Sequence, residues 1–230
     1  FKPGKEPNKN LQFLCVLACL MEAVNKHALL LRAAASNTGN DHRLGANEAP
    51  PAIISIYMGD QLGEIVDAIV AGVPFAQLPC AEVGTLDLGV STLPVLPKDP
   101  TDRNRTSPFA FTGNRFEFRM VASSVSIGDA NTVMNSMMAE SFNKARDALE
   151  GAEDFEKAAI DYIYKTMKEN KNIVFNGNGY SDEWVEEAAK RGLPNVKSIV
   201  DAIPAYTDES SIEMFEKLGV MTKRELEARR

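Results

Sequence analysis

The spacing of apolar residues changes character about halfway along the 230-residue chain. Over residues 8–35, Leu11, Leu14, Cys15, Ala18, Cys19 and Met21 fall on one broad face at helical spacing. Glu22, Asn25, Lys26 and Arg32 are the polar positions, and Glu22 and Lys26 are spaced as an ion pair within one helix. No Gly or Pro interrupts this stretch, which predicts one long helix ending before the turn-forming cluster SNTGN. Residues 52–58 (AIISIYM) are apolar and β-branched and predict a buried strand. Helical spacing returns over residues 59–72 through Leu62, Ile65, Val66 and Ile69. Residues 73–100 are rich in Pro and Gly, with a short strand expected at 86–90. Residues 116–121 (FEFRMV) alternate strictly. Phe116, Phe118 and Met120 take one face, and Arg115, Glu117 and Arg119 take the other, about 6.5–7 Å apart.

Beyond Val121 the pattern is almost entirely helical. Residues 126–150 carry a stripe of Val133, Met134, Met137, Met138 and Phe142. Residues 154–170 are acidic early and basic late, as the helix dipole favours. A turn at 176–179 precedes a helix capped by Ser181 or Asp182, which stops at Gly192 before Pro194. Two short helices are expected either side of Pro204. The implied class is α+β, with a boundary within residues 122–129 that separates a mixed part, 1–125, from a helical part, 126–230.

Composition narrows the partners. The chain is 44% hydrophobic and 25% charged, with a formal net charge of −7, as in soluble globular proteins. No basic stripe stands out, which argues against a nucleic-acid partner. The apolar run 11–20 is too short to span a bilayer and is interrupted by Gln12, so no membrane segment is expected, and no signal-peptide pattern is visible. Cys15, Cys19 and Cys80 sit among apolar residues, and with only His27 and His42 available they make a poor zinc set; buried thiols in a reducing cytoplasm are expected.

Two polar stretches remain. Residues 39–51 (GNDHRLGANEAPP) crowd Asp41, His42, Arg43 and Glu48 into a segment whose Gly, Asn and Pro content disfavours regular structure; it is either a surface turn or a site. Residues 101–121 carry Arg103 and Arg105 on a loop ahead of the Arg115–Glu117–Arg119 face. That face is either solvated or a wall that holds an anion beside a cation. The turn NGNGY lacks the Lys and Ser/Thr of a phosphate loop, so a capping turn is the simpler reading.

HRLGANEAPPA followed by DRNRTSPFAFTGNRFEFRM resembles the C-terminal catalytic half of a glutamine synthetase, and GNDHRLGANEAPP and NGNGYSDEWV resemble its type III branch. The resemblance runs through most of the chain. It implies part of the glutamine synthetase catalytic fold (the glutamine synthetase/guanido kinase type), with antiparallel strands packed by helices, followed by a helical region. It also implies an ATP-dependent ligase in which glutamate becomes γ-glutamyl phosphate and ammonia displaces the phosphate. By the same resemblance Arg43 and Arg119 bind glutamate, and Glu48, on a flap, shields the acyl phosphate and helps deprotonate ammonium. Arg105 lies at the transferring phosphoryl group, Arg115 contacts nucleotide, and Glu117 binds Mg²⁺ or Mn²⁺. These chemistries suit the residue types, since guanidinium forks hold carboxylates and stabilise phosphoryl transfer, and a hard carboxylate suits a hard cation. The span between Arg105 and Arg115 is shorter than in type I enzymes and holds Phe109, Ala110 and Phe111. Family members take most metal ligands from strands upstream of the first helix here, and an N-terminal β-grasp domain of a neighbouring subunit completes the site. The expectation is therefore a cytoplasmic homo-oligomer of stacked rings, with the 230-residue chain inactive alone. The alternatives are a non-catalytic interaction or regulatory fragment, and a ligase joining glutamate to another amine.

Overall fold

The computed structural model describes residues 2–46, 48–80 and 106–229, together with the backbone of 85–86 and 96–97. A 3-10 turn, Pro7–Lys9, leads into α1 (Leu11–Lys26), α2 (Ala28–Ala34) and α3 (Thr38–Arg43). Next come β1 (Ile56–Tyr57), α4 (Gly59–Val70), β2 (Thr85–Leu86), β3 (Leu96–Pro97), β4 (Phe109–Phe111) and β5 (Phe116–Phe118). The remainder is α5 (Gly128–Leu149), α6 (Phe155–Glu169), α7 (Asp182–Lys190), α8 (Ile199–Ala202), α9 (Glu209–Lys217) and α10 (Lys223–Arg229). The molecule is thus α+β and mostly helical.

The small sheet has the order β1-β4-β5 and is mixed, not antiparallel throughout: β1 runs parallel to β4, and β4 runs antiparallel to β5. The reason is that β1 and β4 are separated by α4 and a long connection, whereas Thr112–Arg115 is a tight hairpin with Gly113 at φ +90°. The buried triplet Phe109, Ala110 and Phe111 forms the central strand. Its rings pack against Phe116 and Phe118, with centroids 5.1–6.1 Å apart. Met120 is buried on the same side, which is the alternation seen in FEFRMV. The strand expected over 52–58 shortens to Ile56–Tyr57, and of the strand expected at 86–90 only Leu86 lies among the described residues.

Among the described residues the main hydrophobic core runs from Phe13 to Leu226 and draws on both halves of the chain, with a small second cluster at Cys19, Ala145 and Tyr162. α1 lies against α5 and α6. The long helix expected over 8–35 is broken: α1 and α2 meet at His27 with a bend of 74°, which sends α2 against α5, α8 and the 3-10 turn Ile203–Thr207. His27 is buried at the break and its Nε2 lies 2.6 Å from Glu140 on α5. Glu22 and Lys26 do not pair with each other. Each reaches across to α5 instead, Glu22 to Lys144 and Lys26 to Glu140, because tertiary partners of opposite charge lie in the cleft.

Further departures have local causes. α2 ends before SNTGN as expected, but a further helix follows at once: Asn37 accepts a hydrogen bond from the Asn40 N–H and so caps α3. Pro204 stands in the first turn of the Ile203–Thr207 turn, where its missing N–H costs nothing, and α8, α9 and α10 replace the two helices expected there. In the stripe on α5, Val133 and Met137 are buried while Phe142 is exposed. Cys19 is buried and Cys15 half-buried, but Cys80 is exposed, just beyond the 3-10 turn Phe75–Gln77. Among the described residues no single helix is long and apolar enough to cross a membrane.

Candidate functional site

The residues that build the site start with an asparagine the sequence did not single out. Asn40 on α3 is fully buried. Its Nδ2 donates to the carbonyls of Ala35 (2.6 Å) and Met120 (2.8 Å), and its Oδ1 accepts from Arg43 Nε (2.9 Å). Arg43 Nη2 donates to the same Met120 carbonyl at 2.8 Å. α3 is thereby stitched to the chain just beyond β5, and Arg43 is held by neutral acceptors. No carboxylate pairs with Arg43 among the described residues, so its charge stays available to an anion. α3 is itself anchored from behind. Asp41 accepts from the buried Arg32 (2.7 Å) and from the Ile199 N–H (2.6 Å), and Arg32 also donates to the Val196 carbonyl.

After α3 the chain turns at Gly45, whose φ of +80° suits glycine. The Gly45 N–H donates to the carbonyls of Ala49 and Pro50, closing a small loop that carries Glu48 at the surface. Opposite stands the β4–β5 ribbon. The Arg119 N–H bonds the Pro108 carbonyl at 2.7 Å, extending the ladder past β5. Arg119 Nε and Nη2 both lie 3.2 Å from Glu117 Oε2. Arg115 Nε lies 3.4 Å from Glu117 Oε1, but its side chain is 72% exposed because Arg115 closes the hairpin.

These walls enclose a cavity of about 330 Å³. Arg43, Leu44, Glu48, Ala49 and Pro50 line one side, and Ser107, Pro108, Glu117, Arg119 and Met120 line the other. Four of the six residues singled out from the sequence, Arg43, Glu48, Glu117 and Arg119, therefore meet at one cavity. Arg115 reaches it only through Glu117. Arg105, with Arg103, lies outside the described residues. Asn40, Ser107, Pro108 and Met120 had no sequence signal as site residues, since nothing in their type or spacing separates them from packing positions.

A cavity with two guanidiniums and two carboxylates suits a small zwitterion with an additional carboxylate. It does not suit a metal ion unaided. Both Glu117 oxygens face guanidiniums, and among the described residues no three His, Cys, Asp or Glu side chains cluster closely enough to hold one. Magnesium takes a shell of six oxygens that a single carboxylate does not provide.

Comparison with known proteins follows the same line. Residues 158–230 match the family described as glutamine synthetase C-terminal domain. Over 229 residues, 99% of the chain, the sequence is 44% identical to a glutamine synthetase of Butyrivibrio fibrisolvens, and it covers 32% of that protein. It is 44% identical over 231 residues to the type-3 glutamine synthetase of Dictyostelium discoideum, covering 31% of it. A glutamine synthetase of Bacteroides fragilis is 44% identical over 215 residues, with 30% of that protein covered. The chain spans about a third of the length of these relatives.

Proposed function

From the match to glutamine synthetases along nearly the whole chain, we propose that the chain belongs to that family and that its cavity forms one side of the site where L-glutamate, ATP and ammonia become L-glutamine, ADP and phosphate. One observation carries this reading. Arg43 and Arg119 come from opposite walls and meet at one cavity together with Glu48 and Glu117, and Arg43 has only neutral acceptors around it.

In this reaction the γ-carboxylate oxygen of glutamate attacks the terminal phosphorus of ATP, and ADP leaves. Ammonia then attacks the acyl carbon of γ-glutamyl phosphate, and phosphate leaves with the C–O bond pair. Arg43 and Arg119 hold the carboxylates of glutamate, so the reacting oxygen is oriented before transfer. Arg105 offsets charge on the transferring phosphoryl group, and Arg115, exposed at the hairpin, faces the nucleotide. Glu48 takes the proton that ammonium or the attacking ammonia must lose, and its loop excludes water from the acyl phosphate.

Glu117 is the carboxylate assigned to the divalent cation, Mg²⁺ or Mn²⁺, which would take further oxygen ligands beside it. The assembly is assigned as a ring-shaped homo-oligomer. Residues 1–125 are assigned to the catalytic domain and 126–230 to the helical region. The test is glutamine formation by the purified full-length enzyme from glutamate, ATP and ammonia. Arg43→Ala is expected to raise the glutamate KM by about 100-fold with a much smaller effect on ATP. Absence of glutamine with the wild-type enzyme, or an unchanged glutamate KM in the variant, overturns the reading.

A further inference from the structure

The segment 174–181 comes from the helical region to the outer side of the loops that line the cavity, and nothing in the proposed chemistry uses it. It is fixed along its length. The Phe175 N–H bonds the Ile56 carbonyl on β1 at 2.9 Å, and the Phe175 ring stacks on Trp184 with centroids 3.7 Å apart. Asn176 Oδ1 accepts from the N–H groups of Met58 (2.8 Å) and Gly59 (3.2 Å), so it caps α4 from more than a hundred residues away. Asn178 Oδ1 accepts from the Tyr180 N–H, and Ser181 Oγ from the Trp184 N–H at the start of α7.

Its tip touches both walls of the cavity. A methyl group at Gly179 would collide with the Thr106 carbonyl oxygen and would meet the Pro50 side chain at 3.5 Å. Thr106 precedes the lining pair Ser107 and Pro108, and Pro50 ends the lining run of the Glu48 loop. Glycine is required here by close approach. The next residue, Tyr180, donates its hydroxyl proton to the backbone carbonyl of Glu48 at 3.2 Å. Tyr180 is 38% exposed, so its ring adds little to the core and the bond to Glu48 is its main tie to the site.

We propose that Tyr180, seated by Gly179, is a positioning residue that holds the Glu48 carboxylate at the cavity. The inference rests on the reading of Glu48 as the group that deprotonates the ammonia nucleophile. Holding the Glu48 carbonyl fixes the backbone from which its side chain projects, and a fixed base favours ammonia over water at the acyl phosphate. Attack by ammonia forms the C–N bond of glutamine and releases phosphate. Attack by water forms a C–O bond, returns glutamate and releases the same phosphate. Loss of positioning therefore shows as phosphate released without glutamine.

The experiment compares the full-length wild-type enzyme with Tyr180→Phe, which removes one oxygen and keeps the ring, and with Gly179→Ala. In Tyr180→Phe the rate of glutamine formation is expected to fall about fivefold, the factor a single net hydrogen bond supplies. Phosphate released per glutamine is expected to rise at least twofold, while the KM values for glutamate and ATP stay within twofold. Gly179→Ala, which pushes Thr106 beside the Ser107–Pro108 wall, is expected to raise the glutamate KM as well. A phosphate-to-glutamine ratio unchanged in Tyr180→Phe, or a loss of rate matched by a rise in glutamate KM, overturns the proposal. Hydrogen exchange supplies a readout that needs no turnover: the Gly45 amide, which donates to the Ala49 and Pro50 carbonyls across the Glu48 loop, should exchange about fivefold faster in Tyr180→Phe, and unchanged exchange overturns the proposal whatever the activity. A wild-type enzyme that makes no glutamine while that amide does respond sinks the assigned reaction and leaves the latch standing.

Discussion

Two clusters of charged side chains in this molecule use the same residue types to opposite ends. In the cleft between α1 and α5, each carboxylate is consumed. Glu22 meets Lys144, the Ser141 hydroxyl at 3.1 Å and the Tyr162 hydroxyl at 3.4 Å, while Glu140 meets Lys26 at 2.8 Å and His27 at 2.6 Å. Burial alone would raise the Glu140 carboxyl, but the hydrogen bonds from His27 and Lys26 outweigh it and bring it down to about 2. At the cavity, by contrast, Arg43 is oriented by an amide and a backbone carbonyl, and the Glu48 side chain meets no partner among the described residues. A closed network stabilises helix packing and offers little to a ligand. At the cavity Glu117 is paired with Arg119 and Arg115, but Arg43, held by neutral groups, keeps its charge available.

The sharpest way to break this contrast is at Glu48. Glu48→Ala in the full-length enzyme is expected to lower ammonia-dependent turnover about 10²–10³-fold while leaving ATP and glutamate binding within twofold. An equal loss of ATP affinity would count against its role. Next comes Arg119→Ala, with a glutamate KM raised about 100-fold in steady-state kinetics. An unaltered KM would mean that Arg119 serves only Glu117. Asn40→Ala leaves the Ala35 carbonyl without its side-chain donor, the Met120 carbonyl with Arg43 as its remaining one, and Arg43 without one acceptor. Denaturant unfolding should show a loss of about 2 kcal/mol, accompanied by a higher glutamate KM. A loss of stability with normal kinetics would separate Arg43 from the site.

The smallest effect tests the closed network. Because the folded Glu140 carboxyl is depressed to about 2, its contribution is present above the ordinary glutamate range. It is lost as pH falls from about 4.5 toward 2, and discounted for partial exposure it amounts to about 1–2 kcal/mol. Glu140→Gln should flatten that part of the acid-unfolding curve and leave kinetics at neutral pH alone. A Glu140→Gln enzyme with impaired turnover and an unchanged acid profile would reverse the assignment of the two clusters.

Much of the site could be read from the sequence because its parts are local patterns. The alternation of FEFRMV put Glu117 and Arg119 on one face, the density of charge in residues 39–51 drew notice to Asp41, His42, Arg43 and Glu48 together, and the resemblance picked out Arg43 and Glu48 among them. Their meeting could not be read so, because it depends on Asn40 reaching the Met120 carbonyl across 80 residues. Nor could the exposure of Arg115 on the hairpin, or the reach of Tyr180 to Glu48. In the fold, the bend at His27 escaped the sequence because apolar periodicity runs smoothly through it and the cause lies on α5.

By itself the sequence determined helices such as α4, α5 and α6, the β5 alternation, a cap at Ser181 or Asp182 and the residue types of the two charged stretches, since period, turn residues and side-chain type act over a few residues. Tertiary structure alone decided which charges are spent and which remain available. Glu22 and Lys26 have the spacing to neutralise each other yet pair across a cleft, and Arg43 lies beside acidic residues in sequence yet is held by neutral atoms. The physical reason is that a charge answers to whatever packing brings within a few ångströms of it, and packing is set by the whole buried core.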